Sequence, residues 1–136
     1  IFFMVPYNSK TKFCCVRYGN VKASNGSVFQ IWQNQIKQGM PITVTDERTT
    51  RFFLELDEAI DFIFYAIKNS QGGEIFIKKV KPDKIIDLAR GFTDNIVITG
   101  LRPGEKLHET LIADYEGEEY TSKDSFEKNE IVVLRQ

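Results

Sequence analysis

Asp57-Glu58-Ala59-Ile60-Asp61-Phe62-Ile63-Phe64-Tyr65-Ala66-Ile67-Lys68-Asn69, closed by Gly72-Gly73 and followed by Glu74-Ile75-Phe76-Ile77-Lys78, is the stretch from which the fold is read. Apolar side chains at Ala59, Ile60, Ile63, Phe64 and Ile67 recur at the helical period. Asp57 and Glu58 in the first turn and Lys68 in the last complement the helix dipole. The glycine pair stops the helix, and the β-prone run after it predicts a strand. With a short strand at Pro41-Ile42-Thr43-Val44-Thr45 upstream, the order strand, helix, strand predicts an α/β fold built from βαβ units.

Working outward, Thr11 to Tyr18 is β-rich and largely apolar, which suits a strand buried on both faces of a parallel sheet. Ligands in open α/β sheets collect beyond the carboxyl ends of strands, so the loop from Gly19 to Ser27 is a site candidate. Ser27 is placed to cap a helix from Val28 to about Gln38, with Val28, Ile31, Trp32, Gln35 and Ile36 on one face and Gly39 ending it. Trp32 reads as core rather than as a binding platform. Arg51, at the edge of Phe52-Phe53-Leu54, reads either as a functional cation or as half of a surface ion pair with Asp46 or Glu47. Asp83 is placed to cap a helix reaching about Phe92, and Asn95 to Thr99 predicts a strand.

That strand leads into Gly100-Leu101-Arg102-Pro103-Gly104-Glu105-Lys106-Leu107-His108-Glu109. Pro103 suits a helix start, Gly104 permits close backbone approach, and Leu107 with Leu111 gives an i, i+4 apolar pair, so a turn opening a helix is predicted. Arg102 would then stand at a helix N-terminus, where backbone N–H groups and a guanidinium favour phosphate. Glu105 would accept hydrogen bonds from sugar hydroxyls. The alternative is a solvated loop before a capped helix. Asp114 to Glu119 reads as a solvated connection, and Ile131 to Leu134 as a last strand.

The 136 residues are 42% hydrophobic and 12% aromatic, enough for one domain with a real core. A net charge of −1 gives no electrostatic reason to expect nucleic acid or an anionic membrane as partner, so phosphate recognition must be local. Cys14 and Cys15 are adjacent, where strand side chains point to opposite faces, so they read as reduced residues. No segment approaches a membrane span and Ile1 to Val5 has no basic leader; the chain reads as cytoplasmic. It opens on Ile1 inside an apolar run and reads as the tail of something longer. His108 and Tyr18 lack catalytic partners at suitable spacing, and no cysteine–histidine cluster suggests a metal.

Val16-Arg17-Tyr18-Gly19-Asn20-Val21, Gly26-Ser27-Val28, Pro41 to Thr45, Thr50-Arg51-Phe52-Phe53, Asp57-Glu58-Ala59, Gly73-Glu74-Ile75-Phe76, Ile86-Asp87-Leu88-Ala89 and Gly100 to Glu109 share an order and spacing. Together they resemble the C-terminal part of the nucleotide-sugar 4,6-dehydratases, extended short-chain dehydrogenase/reductases acting on UDP-N-acetylglucosamine, some of which also invert C5. The resemblance runs from Phe13 to about Ala113. It implies the last strands of a Rossmann-like parallel sheet plus a small α/β substrate-binding lobe. Residues 1–21 and about 57–79 would be the sheet edge, 22–56 and 80–113 the lobe, and 114–136 a C-terminal extension of a single domain.

The resemblance further implies that Asn20 contacts substrate, that Arg51 and Arg102 bind the UDP portion, and that Glu105 binds the uridine ribose. Two guanidiniums suit a diphosphate and a carboxylate suits a diol. Val21, Lys22, Ala23, Ser24 and Asn25 would line the nicotinamide end of the cofactor, NADP or NAD in the parent family. The family pattern Gly-Ser-Arg-Gly-Ser stands here as Ala23-Ser24-Asn25-Gly26-Ser27, losing a basic fork. The chain is read as lacking a Gly-x-x-Gly-x-x-Gly turn and a Tyr-x-x-x-Lys pair for hydride chemistry. It is therefore expected to bind a UDP-sugar but to bind no cofactor alone, to be inactive alone, and to self-associate or dock a missing N-terminal dinucleotide-binding domain. The competing reading is a non-catalytic binding module derived from the family.

Overall fold

The computed structural model describes residues 10–22, 24, 26–123 and 130–135. The first half runs β1 (Cys15–Arg17), β2 (Asn20–Val21), α1 (Val28–Lys37), β3 (Ile42–Val44), β4 (Thr50–Leu54) and α2 (Leu56–Asn69). The second half runs β5 (Glu74–Lys79), β6 (Pro82–Lys84), α3 (Ile85–Arg90), β7 (Ile96–Ile98), β8 (Thr110–Ile112), a 3-10 turn (Asp114–Glu116), β9 (Tyr120–Thr121) and β10 (Glu130–Arg135). The fold is mixed α/β, as expected. Strands β1 and β5 pair in parallel, with β10 antiparallel on the far edge of β5. Parallel pairs also join β2 to β4 and β3 to β7, while β4–β6 and β8–β9 are antiparallel.

Helix α2 forms because its start and end are both satisfied. Glu55 and Glu58 make a reciprocal capping box, with the Glu58 carboxylate accepting the Glu55 N–H at 3.0 Å. At the other end the buried Glu74 carboxylate accepts from the Ser70 hydroxyl at 2.9 Å and from the N–H groups of Gln71 and Gly72 at 3.0 and 2.8 Å. Gly72 and Gly73 take positive φ there, which a side chain would disfavour. The face turned inward is Ala59, Phe62 and Ala66, with Phe62 packed on Ala66 and Phe76. Truncating Phe62 to Ala would cost about 3–5 kcal/mol. Of the apolar residues that marked the helix, Ile60, Phe64 and Ile67 lie exposed. Periodicity located the helix but not its buried face.

Strand β4 divides the interior. Phe53 joins Trp32, Ile42, Val44, Ile85, Ile86 and Ala89 in one core, whereas Phe52 and Leu54 join Ile77, Leu111, Ile112 and Tyr120 in another. The period of two along a strand produces this split, and it puts Arg51 on the Phe53 side. β1 and β2 are joined by Gly19, where a Cβ would collide with the Cβ and carbonyl of Phe52. Only glycine lets the strand carrying Asn20 lie so close to β4.

Several expectations are corrected. No helix follows Pro103: Arg102 to Glu105 is a turn, closed by Glu105 N–H to the Arg102 carbonyl at 2.9 Å with Gly104 at φ 82°, and Thr110–Ile112 is strand. Pro then Gly at the two central positions is the type II signature, and it outcompetes the helix start. The strand foreseen over Thr11 to Tyr18 is confined to Cys15–Arg17, whose residues are only half-buried. Asp83 lies in β6, and α3 begins at Ile85 with Lys84 at its cap. Ser27 occupies the cap position of α1 without making a side-chain cap bond. The acidic segment after Ala113 is a fastening: Glu116 grips Arg17 through two hydrogen bonds at 2.7 and 2.8 Å. Cys14 and Cys15 are free and half-buried.

Candidate functional site

A cavity of about 390 Å³ opens between β2, the start of α1, the end of β3, β4 and the 99–105 loop. Asn20, Arg51, Arg102 and Glu105, which come from three separate stretches of sequence, all stand on its wall. So do Val21 and Ser24. Lys22 does not, because its ammonium pairs with Glu55 at 2.7 Å on the surface. Ala23 and Asn25 lie outside the described residues. The apolar part of the wall includes Val28, Ile31, Trp32, Phe53 and Ile85. Trp32 is fully buried, as expected for core, and its indole N–H donates to the Thr43 carbonyl at 2.8 Å.

Arg51 lies within β4, not in the polar connection before it, and it ignores Asp46 and Glu47. Arg48 takes Asp46 instead, at 2.8 Å. The Arg51 side chain is 13% exposed. Its Nη1 donates to the carbonyls of Thr50 and Leu107 at 2.8 and 3.0 Å, and its Nη2 to that of Lys106 at 2.8 Å. Three of its five N–H groups are thereby committed to backbone. Glu105 and Glu109 approach the rest at 3.6 and 3.4 Å. Arg51 is thus a strut for the 105–109 segment that also puts positive charge on the cavity wall. Arg102 is the opposite case: it is exposed, and its guanidinium makes no hydrogen bond or ion pair among the described residues.

Glu105 is oriented from two sides, accepting from the Thr45 hydroxyl at 2.9 Å and from the Arg102 N–H at 3.2 Å. Thr45 and Thr99 follow the parallel strands β3 and β7 at their carboxyl ends, where ligands of α/β sheets gather, and both line the cavity. Sequence inspection missed them, although the Thr43-Val44-Thr45 alternation was a usable signal. Ser27 Oγ and Thr49 Oγ1, also on lining residues, are buried without a hydrogen-bonding partner among the described residues. Such hydroxyls cost about 1–3 kcal/mol each until a polar group meets them.

Residues 3–131 match the family model described as polysaccharide biosynthesis protein. This chain belongs to that family. Within the polysaccharide biosynthesis family, the capsular polysaccharide biosynthesis protein CapD of Staphylococcus aureus is 44% identical over 115 residues, covering 77% of this chain and 19% of that protein. The inverting UDP-N-acetylglucosamine 4,6-dehydratase of Campylobacter jejuni is 40% identical over 122 residues, covering 83% and 36%. A UDP-glucose 4-epimerase of Rickettsia rickettsii is 38% identical, covering 80% and 34%. The X-ray structure of Pen from Bacillus thuringiensis superposes with a TM-score of 0.79 at 35% identity, over 95% of this chain and 42% of that one. The chain thus spans little more than a third, or less, of the curated relatives it matches.

Against that background, the absence of a Tyr-x-x-x-Lys spacing needs correction. Tyr18-Gly19-Asn20-Val21-Lys22 has it. The two side chains are not brought together at the cavity: Tyr18 packs edge-on against Phe62 at 6.2 Å, and Lys22 is held by Glu55. His108 is on no helix; its Nδ1 lies 2.7 Å from the Thr50 hydroxyl, a packing role. Among the described residues no acidic, cysteine and histidine group is placed to hold a metal, and no helix is long and apolar enough to cross a membrane.

Proposed function

We propose that the cavity binds a UDP-linked sugar, UDP-N-acetylglucosamine, and that this chain is the nucleotide-sugar-binding part of an NAD(P)-dependent 4,6-dehydratase, inactive by itself. The supporting observation is the convergence of Asn20, Arg51, Arg102 and Glu105 on one wall. Arg102 supplies a free planar fork for the diphosphate, Arg51 supplies charge, and Glu105, already turned by Thr45, accepts from ribose hydroxyls. The orphaned Ser27 and Thr49 hydroxyls favour a polar occupant. Two of the relatives carry UDP-sugars in their names, one N-acetylglucosamine and one glucose, so the UDP end is the firmer part of the proposal.

The residues fit NADP or NAD poorly. Of the residues expected at the nicotinamide end, Lys22 is turned away from the cavity and engaged with Glu55, while Val21 and Ser24 reach the wall only with a methyl-bearing and a hydroxyl side chain. Calorimetric titration of UDP and UDP-N-acetylglucosamine into the chain tests the proposal, with Lys123→Ala as a distant control. Saturable one-to-one binding is expected, weakened by Arg102→Ala and Glu105→Gln in that order. Absence of binding, or equal affinities for all variants, removes it. No 4-keto sugar should form on adding NADP or NAD; product from rigorously purified protein contradicts the expected inactivity.

A further inference from the structure

Building on the UDP-sugar proposal, we infer that Thr45 is a positioning residue of the site: from the end of β3 its hydroxyl sets the Glu105 carboxylate to meet a vicinal diol, so that the site tells a ribose from a sugar lacking that diol. The contact is direct, with Thr45 Oγ1 donating to Glu105 Oε1 at 2.9 Å. Both residues stand on the cavity wall, and the Glu105 side chain keeps 23% of its surface open.

What holds each residue decides which one positions the other. Thr45 follows a strand that is fixed from both flanks without any ligand. On one flank the Thr43 N–H donates to Gln35 Oε1 and the Gln35 amide donates to Thr43 Oγ1, both at 3.0 Å, while the Trp32 indole N–H takes the Thr43 carbonyl at 2.8 Å. On the other, Ile42–Val44 pairs with Ile96–Ile98, and the Thr99 N–H donates to the Val44 carbonyl at 2.9 Å. Glu105 instead ends an exposed turn, Arg102 to Gly104, with Gly104 at positive φ. The strand is the fixed point, and the turn is what it holds.

The donor count then gives the selectivity. The single proton of the Thr45 hydroxyl goes to Oε1, and the Arg102 N–H, at 3.2 Å, goes to Oε2. Each carboxylate oxygen is tied by one hydrogen bond and keeps a lone pair. Two fixed, neighbouring acceptors match the two adjacent O–H donors of a ribose, as a carboxylate takes any paired donors. Arg51 Nη2, 3.6 Å from Oε1, is too far to replace the hydroxyl as a hydrogen-bond donor.

Two measurements test the inference, the first without ligand. In ¹⁵N spectra the Arg102 backbone amide should move in Thr45→Val toward its position in Glu105→Ala, and should stay in place in Thr45→Ser, which keeps the hydroxyl. An Arg102 amide indifferent to Thr45→Val, or displaced equally by Thr45→Ser, overturns the inference. The second compares UDP with 2′,3′-dideoxy-UDP by calorimetry. Wild type should prefer UDP about tenfold or more, and Thr45→Val should cut that preference to about threefold or less by weakening UDP alone. In a Glu105→Ala background, Thr45→Val should cost nothing further. A merely structural role for Thr45 would weaken both compounds equally, and that result overturns the inference, as do additive losses in the double variant. A wild type that binds the two compounds equally also overturns it, with UDP binding intact. If wild type binds neither, the UDP-sugar proposal fails, and the Arg102 amide alone decides the role of Thr45.

Discussion

Two arginine–glutamate pairs in this chain use the same side chains and do different things. Arg17 and Glu116 close on each other in a bidentate contact at 2.7 and 2.8 Å, joining β1 to the turn after β8, and the Arg17 hydrogen bonds hold Glu116 down at about 2. Arg51 and Glu109 stay 3.4 Å apart, with most of the guanidinium turned to backbone carbonyls and the carboxyl pushed up by burial. The closed pair satisfies itself and is a fastener. The open pair is held by its surroundings, and it retains charge and donors at the cavity. Residue type does not separate the two roles; where the remaining donors go does.

Breaking the open pair should have the largest effect. Arg51→Ala removes the partner of the Lys106 carbonyl, leaves the Leu107 carbonyl with only the Thr50 N–H, and takes from Glu109 its cation, so about 3 kcal/mol of stability should be lost in urea unfolding, together with UDP binding. Arg17→Ala should cost about 2 kcal/mol, less than a fully buried pair because Arg17 is partly exposed, and should leave UDP affinity within about twofold. Arg102→Ala inverts that pattern: unfolding should shift by no more than about 0.5 kcal/mol, while UDP affinity falls about ten- to a hundredfold.

In pH the two pairs have opposite signs. Glu116 titrates at about 2 in the fold against an ordinary 4.5, so the stability it contributes is complete above pH 4.5 and is lost as pH falls toward 2. Arg17→Ala should flatten that slope in acid unfolding curves. Glu109 is shifted upward, so its contribution is present below pH 4.5 and is lost as pH rises through its folded value. Glu109→Gln should therefore unfold slightly later than wild type at neutral pH.

Much of the fold was legible in the sequence because it rests on local periodicity: α1, α2, β3 and β5 follow from spacing and from the stops at Gly39 and Gly72-Gly73. The 100–109 segment was not, because Pro103-Gly104 serves a helix start or a type II turn equally well. The choice is made by Arg51, more than fifty residues away, which collects the carbonyls of Lys106 and Leu107. The exposure of Ile60, Phe64 and Ile67 was equally hidden, since periodicity does not say which side of α2 meets the sheet. Glu109 left no local mark of its contacts; its partners Arg51 and Ser122 are not its neighbours in sequence.

The central claim is that the wall shared by Arg51, Arg102, Glu105 and Asn20 is where UDP sits. Mapping backbone amide shifts on titration with UDP tests it most directly. The account predicts the strongest, saturable shifts at Thr45, Thr99, Arg102 and Glu105, with weaker ones at Arg51 and Asn20, and none at the lysine-lined hollow of Lys81, Lys84 and Lys123. Shifts concentrated on those lysines, with Arg102 and Glu105 unmoved, would contradict it.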